Sequence, residues 1–273
     1  MSGSPPGEFI PYEVGRFVHL PGHSPVGFLI KLAPKALKTY GILEKIAHIF
    51  ASRNISILHL KMSRPVPGKP LYMLLFADIR GSDAPRELKG EIERVEYVDE
   101  VAVIEPRFNG FATDKFFFPL AMAGSRAVIL RRPLYEGLVK GLRSELGSGY
   151  EALLYYMGVE MGRRALRDHQ RIAGSDPVRL AAVIEEFFRL VGFGILKIVA
   201  LEVGSRCVAR VYECFECELF KGSGECTSHL VRGMIAGWFA EVSGISSVDG
   251  VRAVEVSCIA RGDPYCEIVV MAA

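Results

Sequence analysis

The chain has 273 residues, half of them hydrophobic, enough apolar material for one large core or two medium ones. Lysine and arginine number 33 against 31 aspartate and glutamate, a net charge of +2. That near balance argues against nucleic acid as a partner, which calls for a basic domain or stripe. No run of about 18 apolar residues exists, so no membrane-spanning helix is expected. The opening Met1-Ser2-Gly3-Ser4-Pro5-Pro6-Gly7 lacks the basic-then-apolar order of a secretory signal, so the expected setting is the cytoplasm, where thiols stay reduced.

Residues 1–26 are rich in proline and glycine and read as an N-terminal arm, with Phe9-Ile10 and Phe17–Leu20 as candidates for a short edge strand. Regular structure is expected from Gly27. Phe28–Leu32 is a short apolar strand. Tyr40–Arg53 puts Ile42, Leu43, Ile46, Ala47, Ile49 and Phe50 on a helical stripe, and Asn54 is its stop. Ile55–Met62 alternates as a strand does, Pro65–Gly68 is a turn, and Leu71–Ala77 is apolar enough for a central strand buried on both faces. Ser82-Asp83-Ala84-Pro85 opens a second helix that turns Leu88, Ile92 and Val95 inward, and Val101–Ile104 is the last strand. The order β-α-β-β-α-β is the ferredoxin-like split, expected over residues 27–107 of an α+β chain. Through Asn54-Ile55-Ser56-Ile57 and the closing Val98-Asp99-Glu100-Val101-Ala102-Val103, this part resembles the ACT family of regulatory domains. The resemblance implies side-by-side pairing, hence a homodimer, and amino-acid binding near the turn after the first strand. That turn, Leu32–Gly41, is basic here and has no aspartate, so a module that only dimerises fits as well.

Arg107–Thr113 is turn-rich and is expected to link to a second domain over residues 114–273. Arg126–Leu130 reads as a strand, Pro133–Leu146 as a helix stopped by Gly147-Ser148-Gly149, and Tyr150–Arg171 as the longest helix. Gly158 and Gly162 lie four apart on one face of it. A glycine inside a helix costs roughly 1 kcal/mol relative to alanine, so close approach by another helix or by a ligand is expected there. Pro177–Val191 is a third helix with Val183, Ile184, Phe187 and Phe188 facing inward. Ile195–Val203 and Cys207–Cys214 form a hairpin, a helix runs from Glu225 to Ser243, and Val251–Ile259 and Cys266–Met271 form a second hairpin turned by Arg261–Pro264. The expectation is a mixed α/β domain with long helices packed on an antiparallel sheet.

All six cysteines fall in this half. Cys226, Glu255, Cys258 and Cys266 combine thiolate and carboxylate, both good ligands for a borderline-soft ion such as zinc. The second hairpin brings Cys258 and Cys266 opposite each other. Glu255, three residues before Cys258, would lie on the other strand face unless a bulge intervenes. Cys226 would arrive at the start of the preceding helix, where the dipole favours a thiolate. Three thiolates and a carboxylate saturate a tetrahedral ion, so the site would be structural rather than catalytic. Cys214 and Cys217 form a Cys-x-x-Cys pair that could join Cys258 and Cys266 in a four-thiolate site, hold an iron–sulfur cluster, or act as a redox switch. His229 is an alternative ligand, and Cys207 reads as core.

Arg126–Leu130, Leu146-Gly147-Ser148-Gly149, Cys226, Gly233, Gly237-Trp238, Glu255-x-x-Cys258 and Gly262-Asp263-Pro264-Tyr265-Cys266 resemble the 4-vinyl-reductase-like domain family. The resemblance spans most of residues 115–273. It implies a small-molecule sensor of the kind found in phenol-responsive transcription activators, with zinc held by a cysteine, a Glu-x-x-Cys pair and a cysteine eight residues later. Glu255, Cys258 and Cys266 match that pattern, and Cys226 stands for the first ligand. It also implies a small, mostly apolar ligand between the long helices and the sheet, with Tyr155, Tyr156, Phe187, Phe188, Trp238 and Phe239 as candidate walls. The expected protein is a regulator with no catalytic residues and no output domain of its own, acting through a partner protein. The alternatives are an enzyme or accessory of vinyl-reductase-type tetrapyrrole metabolism, against which stands the lack of a nucleotide-binding glycine motif, and a redox sensor.

Overall fold

The computed structural model describes residues 9–79, 84–247 and 249–273. Ser82 and Asp83, expected to start the second helix, lie outside them, as do residues 1–8 of the expected arm. The chain divides into two compact units, one of them Pro11–Val128 and the other containing Ile129–Ala273, and each has its own core.

In the first unit the strands are β1 (Phe17–His19), β2 (Pro25–Leu32), β3 (Ile57–Met62), β4 (Leu71–Asp78), β5 (Val98–Ile104), β6 (Phe111–Thr113), β7 (Ala121–Met122) and β8 (Ser125–Arg126). Helix α1 spans Ile42–Ala51 and α2 spans Ala84–Glu93. Four strands form one antiparallel sheet in the order β3-β4-β2-β5. Alternation along β2 points Phe28, Ile30 and Leu32 to one face, where they meet Ile42, Ile46 and Phe50 of α1 and Leu88 and Ile92 of α2. Phe28 and Phe50 are fully buried and stack edge to face at 5.7 Å, and burying each ring contributes about 2–3 kcal/mol. Asn54 ends the helical turn with φ 54°, the left-handed stop its side chain tolerates. Leu74, Phe76 and Ile104 form a smaller core on the other face with Ala112, Val18 and Phe117.

The expected limits of this unit need correction. Part of the supposed arm is structural: Phe17–His19 pairs with Phe111–Thr113, and the side chains of His23 and Asp78 meet at 2.8 Å. The last three residues of the stretch expected to be a link are therefore a strand, and the unit continues to Val128. Two three-residue strands pair only with each other, which leaves no periodic signal to read. Of the strand expected at Arg126–Leu130, only Arg126 is in one.

The second unit opens with α3 (Arg132–Lys140) and α4 (Arg143–Leu146), where one helix was expected. Then come α5 (Ser148–Ala173) and α6 (Pro177–Leu190), the latter capped by Asp176, whose carboxylate accepts from the Val178 and Arg179 N–H groups. Strands β9 (Ile195–Glu202) and β10 (Arg206–Tyr212) precede the short α7 (Phe215–Glu218) and α8 (His229–Val242), and β11 (Val251–Ser257) and β12 (Cys266–Ala272) complete the fold. These strands form an antiparallel sheet in the order β11-β12-β10-β9.

Helices α5 and α8 touch backbone to backbone. A methyl group added at Gly158 would overlap the Leu230 carbonyl, and one at Gly162 the Met234 carbonyl. Reciprocally, Gly233 faces the Tyr155 carbonyl and Gly237 the Val159 carbonyl. The contacts advance together along both chains, so the two helices run in the same direction. The close approach expected at Gly158 and Gly162 is thus made by a second helix with the same glycine spacing.

Candidate metal centre

Three local devices bring the thiols together. After β10 the chain turns at Glu213, φ 49°, and enters α7 with Cys214 at its N-cap and Cys217 in its body. The β11–β12 register slips between Glu255 and Ser257. This is the bulge that lets Glu255 and Cys258 serve one point despite their odd spacing. Between Cys258 and Cys266 a single turn, Ile259–Arg261, is closed by Gly262 at φ 101°. Asp263 holds that loop by accepting from the Cys258 N–H at 2.8 Å, and Arg261 donates to Asp263 and to the Val256 carbonyl.

The result is a buried group. One ligand atom each from Cys217, Glu255, Cys258 and Cys266 all lie within 4.8 Å of one another. The Cys258 and Cys266 sulfurs are 3.8 Å apart, the separation of about 3.8 Å that two zinc–sulfur bonds of 2.3 Å make at a tetrahedral angle. One Glu255 oxygen accepts from the Ser228 N–H at 3.1 Å, while the other is buried with no hydrogen-bond partner. An unanswered buried carboxylate oxygen beside three buried thiols fits a cation. Burial and the neighbouring Cys258 push the Glu255 carboxyl up to about 7. Hydrogen bonds from Cys217 and Cys266 pull the Cys214 thiol down, and Cys217, donating to that neighbour, is raised.

Cys226 stands outside this group. It is partly exposed, and its thiol is raised by burial and by the nearby Glu255 and Cys258. Helix α8 begins at His229 rather than Glu225, so the dipole expected at Cys226 acts three residues further on. Cys214 is fully buried and near enough to Cys217 and Cys266 for them to pull its thiol down, but it is not one of the four. His229 is not in the group; its Nε2 is 3.6 Å from Glu151, and burial holds the ring down to about 4. Cys207 is core, its thiol pushed up to about 12 by burial.

Sequence reasoning missed Glu216. It is fully buried between the two cysteines, and its oxygens accept from the Leu230 and Val231 N–H groups at 2.9 and 2.8 Å. A residue fourteen positions away from Leu230 thus caps α8 in place of Ser228, whose side chain makes no capping bond. An acid set directly between Phe215 and Cys217 was the available signal.

The expected ligand walls divide. Tyr155 and Tyr156 line one open hollow of about 340 Å³. Phe187 and Phe188 line another of about 200 Å³ with His169, Ile184 and Met234. Trp238 lines neither; it is fully buried in the core, as is Phe239.

No protein-family model matches the chain. An uncharacterized protein of Methanocaldococcus jannaschii is 27% identical over 124 residues, which is 45% of this chain and 66% of that protein. The chain therefore spans just under two thirds of the length of that relative. Among solved structures, the phenol-responsive sensory domain of the transcription activator PoxR with phenol is similar over 54% of this chain and 77% of its own, with TM-score 0.48 and 16% identity. A vinyl-4-reductase family protein from Methanocaldococcus jannaschii is similar over 54% of this chain and 84% of its own, with TM-score 0.37 and 16% identity.

Proposed function

We propose that this chain is a ligand-binding sensor whose C-terminal unit is held closed by a zinc ion. The observation that carries the reading is the group Cys217, Glu255, Cys258 and Cys266, within 4.8 Å of one another and including a buried carboxylate oxygen with no hydrogen-bond partner. Four protein ligands fill a tetrahedral shell, so the ion would staple α7, β11 and β12 together and leave no open position for chemistry. The ligand would be small and mostly apolar, in the hollow between Phe187, Phe188 and His169. The N-terminal unit, whose strand order β3-β4-β2-β5 with two helices on one face supports the ferredoxin-like, ACT-like reading, would pair with a second copy and pass the signal to a partner protein.

Metal analysis of the purified protein tests this. One zinc per chain is expected, and Cys258→Ala should abolish it and destabilise the unit by more than about 4 kcal/mol. A metal-free protein with every thiol titratable would sink the reading. A second reading has its own support: the buried Cys214, near Cys217 and Cys266, would complete a set of four thiols that suits an iron–sulfur cluster or redox switch. A coloured protein that bleaches on oxidation, and keeps its metal in Glu255→Gln, would select it.

A further inference from the structure

The larger hollow, about 340 Å³, is walled by Tyr155, Tyr156, Arg232, Asp249, Arg252 and Ala253. Of its charged lining, Arg252 and Asp249 are exposed and Arg232 is partly buried. Arg232 lies in the first turns of α8, its guanidinium over the Tyr155 ring at 5.2 Å and 3.5 Å from Nδ1 of His229. Its Nε is buried and has no hydrogen-bond partner. Arg163, on the neighbouring helix, also has an unpartnered Nε, but Glu241 and the carbonyls of Ile245 and Ser247 answer its other nitrogens. Among the described residues no carboxylate forms an ion pair with Arg232 or Arg252, Asp249 at the same hollow included. A guanidinium cannot shed its charge, so the partly buried Arg232, with its Nε unanswered, favours an anion.

We propose that this hollow binds a small organic carboxylate with a flat apolar body. Arg232 and Arg252 take the carboxylate, for which a guanidinium fork is the geometric match. The Tyr155 and Tyr156 rings, edge to face at 5.5 Å, and the small Ala253 receive the body. Two arginines against one aspartate leave one positive charge to be met. A monoanion balances it, whereas a phosphate dianion brings excess charge towards Asp249. The site is separate from the hollow at Phe187 and Phe188 and from the thiol group, so it stands whether or not the sensor reading does.

Calorimetric titration of the purified full chain with benzoate tests the proposal, with benzamide as the uncharged control and inorganic phosphate as the anion without a ring. Saturable benzoate binding is expected, with each control weaker by about tenfold or more. Arg232→Gln should weaken benzoate by about tenfold or more, and Arg252→Gln, at an exposed position, by a smaller but measurable factor. Should Arg232→Gln not fold, Arg252→Gln decides. No saturable benzoate binding, equal binding of benzamide, a preference for phosphate, or unchanged affinity in the variant that folds would each overturn the assignment.

Discussion

His169 sits in the wall of the smaller hollow, 5% exposed, its ring 5.3 Å from that of Phe187. Burial holds it below the ordinary histidine value of 6.5, against the pull of Asp168 upward. A histidine depressed in the folded state contributes stability that is present above its unfolded value and is lost as pH falls towards the folded one. Denaturant unfolding between about pH 7.5 and pH 5.5 should therefore show stability declining on the acid side. His169→Phe should decline less, and equal slopes in the two proteins would count against this account. Glu216 shows the opposite pull on an acid. Burial pushes its carboxyl up to about 8 even as the Leu230 and Val231 N–H groups draw it down. At this scale the sequence was legible where chemistry and spacing coincide. Cys258, Cys266 and Glu255 are recognisable from their residue types and intervals. Cys217 is not found that way, because its place in the group depends on the position of α7.

Among the elements, the contact between α5 and α8 is the one most exposed to a single methyl group. Added at Gly162, a methyl would meet the Met234 carbonyl, the Trp238 nitrogen and the Met234 carbonyl carbon, all backbone atoms of a helix that cannot step aside alone. Gly162→Ala should therefore cost roughly 1–3 kcal/mol or more, as overpacking does. Gly137→Ala in α3, where no atom lies within 4 Å of the new methyl, should be neutral or stabilising by up to about 1 kcal/mol. Equal effects in thermal unfolding would show that the glycines do not set the helix spacing. Gly158 and Gly162 announced a close approach by their interval, and Gly233 and Gly237 repeat it. That the two pairs meet is a tertiary fact, since any small-residue face in the chain could have been the partner. The bulge at Glu255 has the same character: the odd interval to Cys258 demanded one, and the β11–β12 register supplies it.

At the level of the whole molecule, two units with separate cores predict two separable responses. Scanning calorimetry with and without a chelator should shift the transition of the C-terminal unit down and leave that of the N-terminal unit in place. A single transition that moves as one, or no shift, would contradict a metal clamp confined to residues 129–273. Among the described residues no helix is long and apolar enough to cross a membrane. The sequence by itself determined the α and β character of both halves, the buried strand at Leu71–Ala77, the helix at Pro177 and the hairpin that pairs Cys258 with Cys266. Each of these rests on local periodicity, turn residues or short intervals, and local terms need no knowledge of the rest of the chain. Only the tertiary structure decided that Phe17–His19 belongs with Phe111–Thr113, that Glu216 caps α8, and that Cys217 lies with Glu255, Cys258 and Cys266. It also decided that Tyr155 and Phe187 face different hollows. These are pairings between distant segments, fixed by which buried polar groups find partners and which backbones can approach, and no interval along the sequence encodes them.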